Sequence, residues 1–111
     1  MGFIVKVLIN SLAVALTAYL LPNVEINSFV TAIIVALVLA VINTFIKPLV
    51  SILTLPINIL TLGILSFVIN GLFILLASNL VDGFTVTGFF WAVIFSIVLS
   101  IVSSVLGMFT K

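Results

Sequence analysis

At 111 residues the chain is 66% hydrophobic and 5% charged, with a mean hydropathy of +1.73 and a formal net charge of +1. A soluble domain carries ~25% charged residues, so a water-solvated globule is excluded. Three lysines and two acids cannot make a basic footprint, so the expected partner is the lipid bilayer and not nucleic acid. The absence of His and Cys rules out the usual metal sites, disulfides and thiol catalysis, and no cofactor is expected.

Four apolar stretches follow, at about residues 3–21, 28–46, 57–81 and 89–109. Each is long enough to cross a ~30 Å hydrocarbon core, which takes about 20 helical residues. The runs are continuously apolar rather than alternating, which excludes a β-barrel, and lipid tolerates no unsatisfied backbone. The predicted fold is an all-α membrane protein of four transmembrane helices, a single membrane domain over residues 1–111.

In the first stretch Ala13-Val14-Ala15 has the look of a signal-peptide cleavage site. Cleavage there would leave only a few apolar residues after Lys6, so the segment reads as a retained span. Lys6 also occupies the place that the myristoylation pattern reserves for Ser or Thr. The second stretch carries Ala32, Ala36, Ala40 and Thr44 at every fourth residue. Small residues at that spacing let two helices approach until their backbones touch, which drives association where lipid removes the hydrophobic effect.

Between the second and third stretches the chain is broken by Pro48 and Pro56. Pro48 stops the second span or opens a new helix, and Pro56 is placed for the first turn of the third. Ser51, Thr54, Asn58 and Thr61 share one side of a helix amid Leu, Ile and Val. Such a piece is expected to lie as an interfacial linker helix over about residues 48–60, its apolar side in lipid, the alternative being that Leu49 to Leu55 prolongs a tilted, kinked second span. The fourth stretch repeats the small-residue pattern as Ala92, Ser96, Ser100 and Ser104.

That repetition is part of a larger one. Sliding the chain by sixty residues superposes Ile9-Asn10 on Ile69-Asn70, Leu12 on Leu72, Leu20 on Leu80, Phe29 on Phe89, Ala32 on Ala92, Ile34 on Ile94 and Val38-Leu39 on Val98-Leu99. Eleven of the 47 positions in residues 1–47 are identical in 61–107, where chance gives roughly five for this composition. The sequence therefore reads as two tandem parallel helical-hairpin repeats, about 1–47 and 61–107, joined by the linker. Both interspan loops, 22–28 and 82–88, fall in register. Val24-Glu25-Ile26-Asn27 and Phe84-Thr85-Val86-Thr87 alternate at period two, the spacing of extended chain. Either the two loops form a small outer cap against each other, or their apolar residues dip separately into the interface.

With four spans, Lys6, Lys47 and Lys111 fall on one side and Glu25 and Asp82 on the other. Lysines mark the cytoplasmic side, so both termini are expected to be cytoplasmic. Within the spans Asn10, Asn43 and Asn70, with Ser103, belong to the cytoplasmic half. Amides in lipid need partners, at about 0.6–2 kcal/mol per interhelical bond, and packing between helices is the expected role. No enzyme constellation is present. The carboxylates lie in opposite loops with no His, Cys or Arg to pair with them, and no base activates any Ser or Thr.

Asn43-Thr44-Phe45-Ile46-Lys47-Pro48-Leu49, Leu55-Pro56, Thr61-Leu62-Gly63, Ile69-Asn70 and Gly83-Phe84-Thr85-Val86-Thr87-Gly88-Phe89 are similar to the four-span phage holin family, superfamily IV, of bacteria and mycobacterial phages. The resemblance covers nearly the whole chain. It departs at Ser28, which stands where the second repeat has Gly88. It implies a small multi-pass protein of the bacterial cytoplasmic (inner) membrane, forming oligomeric lesions that release a cell-wall hydrolase. Two functions are thus expected: a self-assembling, holin-like membrane protein that permeabilises the bilayer as a homo-oligomer, or an accessory subunit that packs against a larger membrane complex.

Overall fold

Every peptide group within a bilayer must find its hydrogen bond inside the protein, and this chain meets that demand almost entirely with helices. The computed structural model describes residues 2–61 and 63–109, the side chains of Asn58 and Leu60 excepted. In chain order it comprises helix α1 (Phe3–Leu20), strand β1 (Val24–Ile26), helix α2 (Phe29–Val41), a π turn (Ile42–Ile46), helix α3 (Lys47–Leu60), helix α4 (Ile64–Leu80), strand β2 (Phe84–Val86) and helix α5 (Gly88–Met108). Phe3–Leu20, Phe29–Ile57 and Gly88–Met108 are long and apolar enough to cross a membrane, and Ile64–Leu80 is a shorter apolar helix. Its 17 residues extend ~25 Å, the lower end of spanning length.

The third span begins later than its hydropathy predicts, at residue 64 instead of 57. Helix α3 runs to Leu60, and Gly63 then adopts φ +89°, a left-handed conformation that side chains resist and glycine accepts. Pro56 accordingly lies inside α3 and not in the first turn of the third span. There it removes the bond its nitrogen would have made to the Ile52 carbonyl. Pro48 is the second residue of α3. A proline cannot donate to the carbonyl four residues back and crowds it. The preceding turn widens instead, with the Lys47 N–H donating to the Ile42 carbonyl. The linker is therefore a helix joined to α2 without a gap.

The two loops do lie against each other, and they add a small sheet to an otherwise helical fold. Strands β1 and β2 pair antiparallel, Val24 opposite Val86, Glu25 opposite Thr85 and Ile26 opposite Phe84. The ribbon is extended by Asn27 N–H donating to the Gly83 carbonyl and Thr87 N–H to the Asn23 carbonyl, each at 3.0 Å. Val24, Phe84 and Val86 turn inward while Glu25 and Thr85 face out. At the start of α2, Ser28 Oγ accepts from the Thr31 N–H at 3.2 Å, satisfying one of the orphan donors of the first turn.

Helix α1 packs on α2 and α5, and α4 packs on α5 and α2, with the ribbon across one end. The core is concentrated toward that end: Val14, Ala18, Val35, Ala36, Ile74, Ala77, Ala92 and Phe95 close beneath Val24, Phe84 and Val86. The Phe84 and Phe95 rings lie 5.4 Å apart. Toward the opposite end, which carries Lys6 and Lys47, burial falls away and Leu and Ile side chains face outward, as they do against lipid.

Candidate functional site

The small-residue stripes serve the chain's own packing only near the ribbon. Ala32 and Ala92 are fully buried and Ala36 and Ser96 nearly so. Ala40 is half-buried, while Thr44, Ser100 and Ser104 are exposed. The sequence pattern did not single out the small buried residues of the other two helices. On α1 they are the buried Ser11 and Thr17, and on α4 the buried Gly71 and Ala77. A Cβ at Gly71 would lie 2.6 Å from Val93 Cγ2 and 3.3 Å from the Val93 nitrogen, so the absent side chain is what lets α4 and α5 meet. Ser11 and Gly71, and Thr17 and Ala77, are sixty residues apart. The repeat register combined with small size, rather than identity, was the signal that could have found them.

The hydroxyls of buried Ser11, Thr17 and Ser96 and of exposed Ser100 turn back on their own helices, while that of buried Thr31 donates to Asn27 Oδ1. Ser11 Oγ donates to the Val7 carbonyl at 2.6 Å, Thr17 Oγ1 to Ala13 at 2.7 Å, Ser96 Oγ to Val93 at 2.8 Å and Ser100 Oγ to Ser96 at 2.9 Å. This is the usual fate of Ser and Thr in apolar helices, and it leaves their hydrogens unavailable for other chemistry.

The amides behave differently. Asn10 and Asn43 are exposed and Asn70 is half-buried, and none of the three side chains bonds another described residue. Asn43 and Asn70 are brought together with Lys47, Ser96 and Ser100 around a cavity of about 90 Å³ between α2, α4 and α5. A second cleft of about 60 Å³ continues from Lys47 and Asn70 along Ser51 and Thr54 of α3 to Ser66 of α4. Thr54 Oγ1 donates to the Val50 carbonyl at 2.8 Å. Ser103 is half-buried on α5 and does not line either cavity. The gathered groups are thus amides, hydroxyls and one ammonium, a set suited to binding and packing and lacking a nucleophile–base pair. No group of His, Cys, Asp and Glu that could hold a metal occurs among the described residues.

Comparison with known proteins bears on what kind of molecule carries this site. Residues 1–105 match the mycobacterial 4 TMS phage holin family, superfamily IV. The chain belongs to this family. An uncharacterized protein of Streptomyces coelicolor is 38% identical over 118 residues, covering 97% of this chain and 94% of its own length. The uncharacterized membrane protein YvlD of Bacillus subtilis is 36% identical over 98 residues, covering 87% of this chain and 82% of its own. No solved structure matches. Membership of this holin family makes the apolar helices membrane spans and the molecule a holin-like, multi-pass membrane protein. The π turn, Lys47 and both polar clefts fall within the matched residues.

Proposed function

We propose that this chain is a non-enzymatic, self-assembling membrane protein of the bacterial inner membrane. In this reading it is built from two parallel repeats, with both termini and α3 at the cytoplasmic face. Support for the repeats comes from burial and pairing together. Val14 and Ile74, Thr17 and Ala77, Ala32 and Ala92, Val35 and Phe95, and Val24 and Phe84 are all buried pairs sixty residues apart. The ribbon register maps onto itself under the same shift, since Val24–Val86 becomes Phe84–Ile26 and Glu25–Thr85 is its own image. A two-fold axis through the Glu25–Thr85 pair accounts for all of these relations.

The observation that carries self-assembly is Asn10. It is exposed and bonds no other described residue. It also lies ten residues before Leu20, ~15 Å along the helix and therefore near the middle of a ~30 Å core. Its counterpart Asn70 is covered by α3, whereas Asn10 has no such cover. An amide in lipid gains from a partner on another helix, and a second copy supplies one. Any leak made by the assembly would run between copies, because Val24, Val35, Phe84 and Phe95 fill the ribbon end of a single chain.

The test is native mass measurement over a concentration series, in micelles, of wild type and Asn10→Leu, beside membrane potential in cells expressing each. Losing one interhelical bond of about 0.6–2 kcal/mol should weaken association roughly three- to thirtyfold, with any depolarisation falling in parallel. A wild-type chain that stays monomeric, or an Asn10→Leu chain that associates as well as wild type, would overturn the reading. Monomers recovered only in a stoichiometric complex with another membrane protein would assign the same edge to an accessory role.

A further inference from the structure

We propose that the cleft around Lys47 binds a phosphate-bearing anion, with the headgroup of an anionic phospholipid as its source. The inference does not rest on self-assembly. Among the described residues Lys47 has no acidic side chain within reach. The chain's two acids, Glu25 and Asp82, both lie at the ribbon end, and α2 with its π turn places Lys47 ~27 Å of helix below Phe29. That depth, close to the thickness of a ~30 Å core, is the level of the opposite headgroups.

The groups around the ammonium are neutral and include unused donors. Asn43 and Asn70 line the cleft with Lys47, Ser51 lies just beyond, and none of the four side chains bonds another described residue. An ammonium, two amides and a hydroxyl, with no carboxylate among them, select for a negatively charged oxygen ligand.

The backbone is shaped for this arrangement. A π turn carries one residue more than an α turn, which rotates everything after it by about 100°. Lys47 therefore occupies the angular place that the seventh residue after Leu39 would take in a regular helix, on the buried Leu39 face rather than ~80° round from it. The second half of the chain lacks this device. Helix α5 is regular from Gly88 to Met108, with Ser103 and Gly107 where α2 and α3 have Asn43 and Lys47. The two halves diverge where a charge is brought under the bundle.

Full-length protein reconstituted in nanodiscs of phosphatidylglycerol and phosphatidylcholine is released into native mass spectrometry and its retained lipids counted. Wild type should keep one phosphatidylglycerol per chain. Lys47→Gln should lower that retention by about tenfold or more, the effect of removing a hydrogen bond to a charged group. Lys6→Gln, at the same end of the molecule, should leave it within twofold, and Lys47→Arg should restore it, showing that the fold survives change at this position. Inorganic phosphate added to phosphatidylcholine nanodiscs forms the second arm. Phosphate binding that Lys47→Gln abolishes, without phosphatidylglycerol retention, would keep the anion site and overturn the lipid as its source. Equal losses in Lys6→Gln and Lys47→Gln would reduce the effect to general surface charge and overturn the site. Retention unchanged in Lys47→Gln would overturn it equally.

Discussion

At the scale of single residues, what matters in this molecule is how little some side chains occupy. Helices in lipid associate through close van der Waals contact and hydrogen bonds, so their closest approaches are sensitive to added bulk. Gly71→Val is expected to destabilise the fold by about 1–3 kcal/mol, as overpacking does in tight interiors, because its Cβ would meet Val93 of α5. A denaturation titration in mixed micelles measures this. The stripes divide by the same criterion. Ala36→Leu, at a position 5% exposed, should cost a similar ~1–3 kcal/mol. Ser104→Leu, at an exposed one, should stay within about 0.5 kcal/mol. Comparable losses at both positions would mean that the stripes pack along their full length. The alanines and serines of these stripes were legible in the sequence because they recur every fourth residue in the second and the fourth apolar stretch. Gly71 was not, since it stands in no run and only Val93 on the facing helix reveals why it must be small.

At the scale of elements, two devices organise the chain: the ribbon and the π turn. The ribbon joins loops that are separated by most of the chain, and its central pair, Glu25 and Thr85, is exposed. Directly opposed residues of an antiparallel pair hold their Cβ atoms about 4.5–5.5 Å apart. Glu25→Cys with Thr85→Cys should therefore be joined within one chain by a short bifunctional thiol reagent, and the cysteine-free sequence provides a clean background. Failure to cross-link, or cross-linking only between chains, would contradict the pairing. For the π turn the informative change is a deletion. Removing Phe45, which is 66% exposed, should restore regular α register and swing Lys47 by about 100° away from Asn43 and Asn70. The chain would then keep its lysine and lose its phosphatidylglycerol, matching Lys47→Gln in the nanodisc measurement. Retention at the wild-type level would show that the charge alone suffices. Sequence could flag Pro48 as a disturbance here, but whether a proline stops, kinks or widens a helix depends on which carbonyls its neighbours can reach.

At the scale of the whole molecule, the core closes at the ribbon end and opens toward the end that carries Lys6 and Lys47. This polarity suits the proposed contacts with lipid headgroups and other copies, which lie away from the ribbon. It makes a topological prediction. In intact cells a single cysteine at residue 25 or 85 should react with an impermeant thiol reagent from the periplasmic side, and one at residue 2 should be protected. The reverse labelling would invert the orientation and move the Lys47 cleft to the outer leaflet. Lys111, the third lysine used to orient the chain, lies outside the described residues, so Lys6 and Lys47 carry that argument.

Membrane residence, helical class and the approximate span limits follow from the sequence alone, because the free energy of leaving a peptide group unsatisfied in hydrocarbon is large and local. A run of twenty apolar residues meets that condition with its own hydrogen bonds, whatever surrounds it. The sixty-residue register, too, is visible in one dimension, since it needs only comparison of the chain with itself. The pairing of β1 with β2, the start of α4 at Ile64, the widened turn before Pro48 and the meeting of Asn43, Lys47 and Asn70 were decided by tertiary structure. Each depends on small differences between competing local conformations, and these are settled by contacts between segments far apart in the chain. Hydropathy sums over neighbours and carries no record of those contacts.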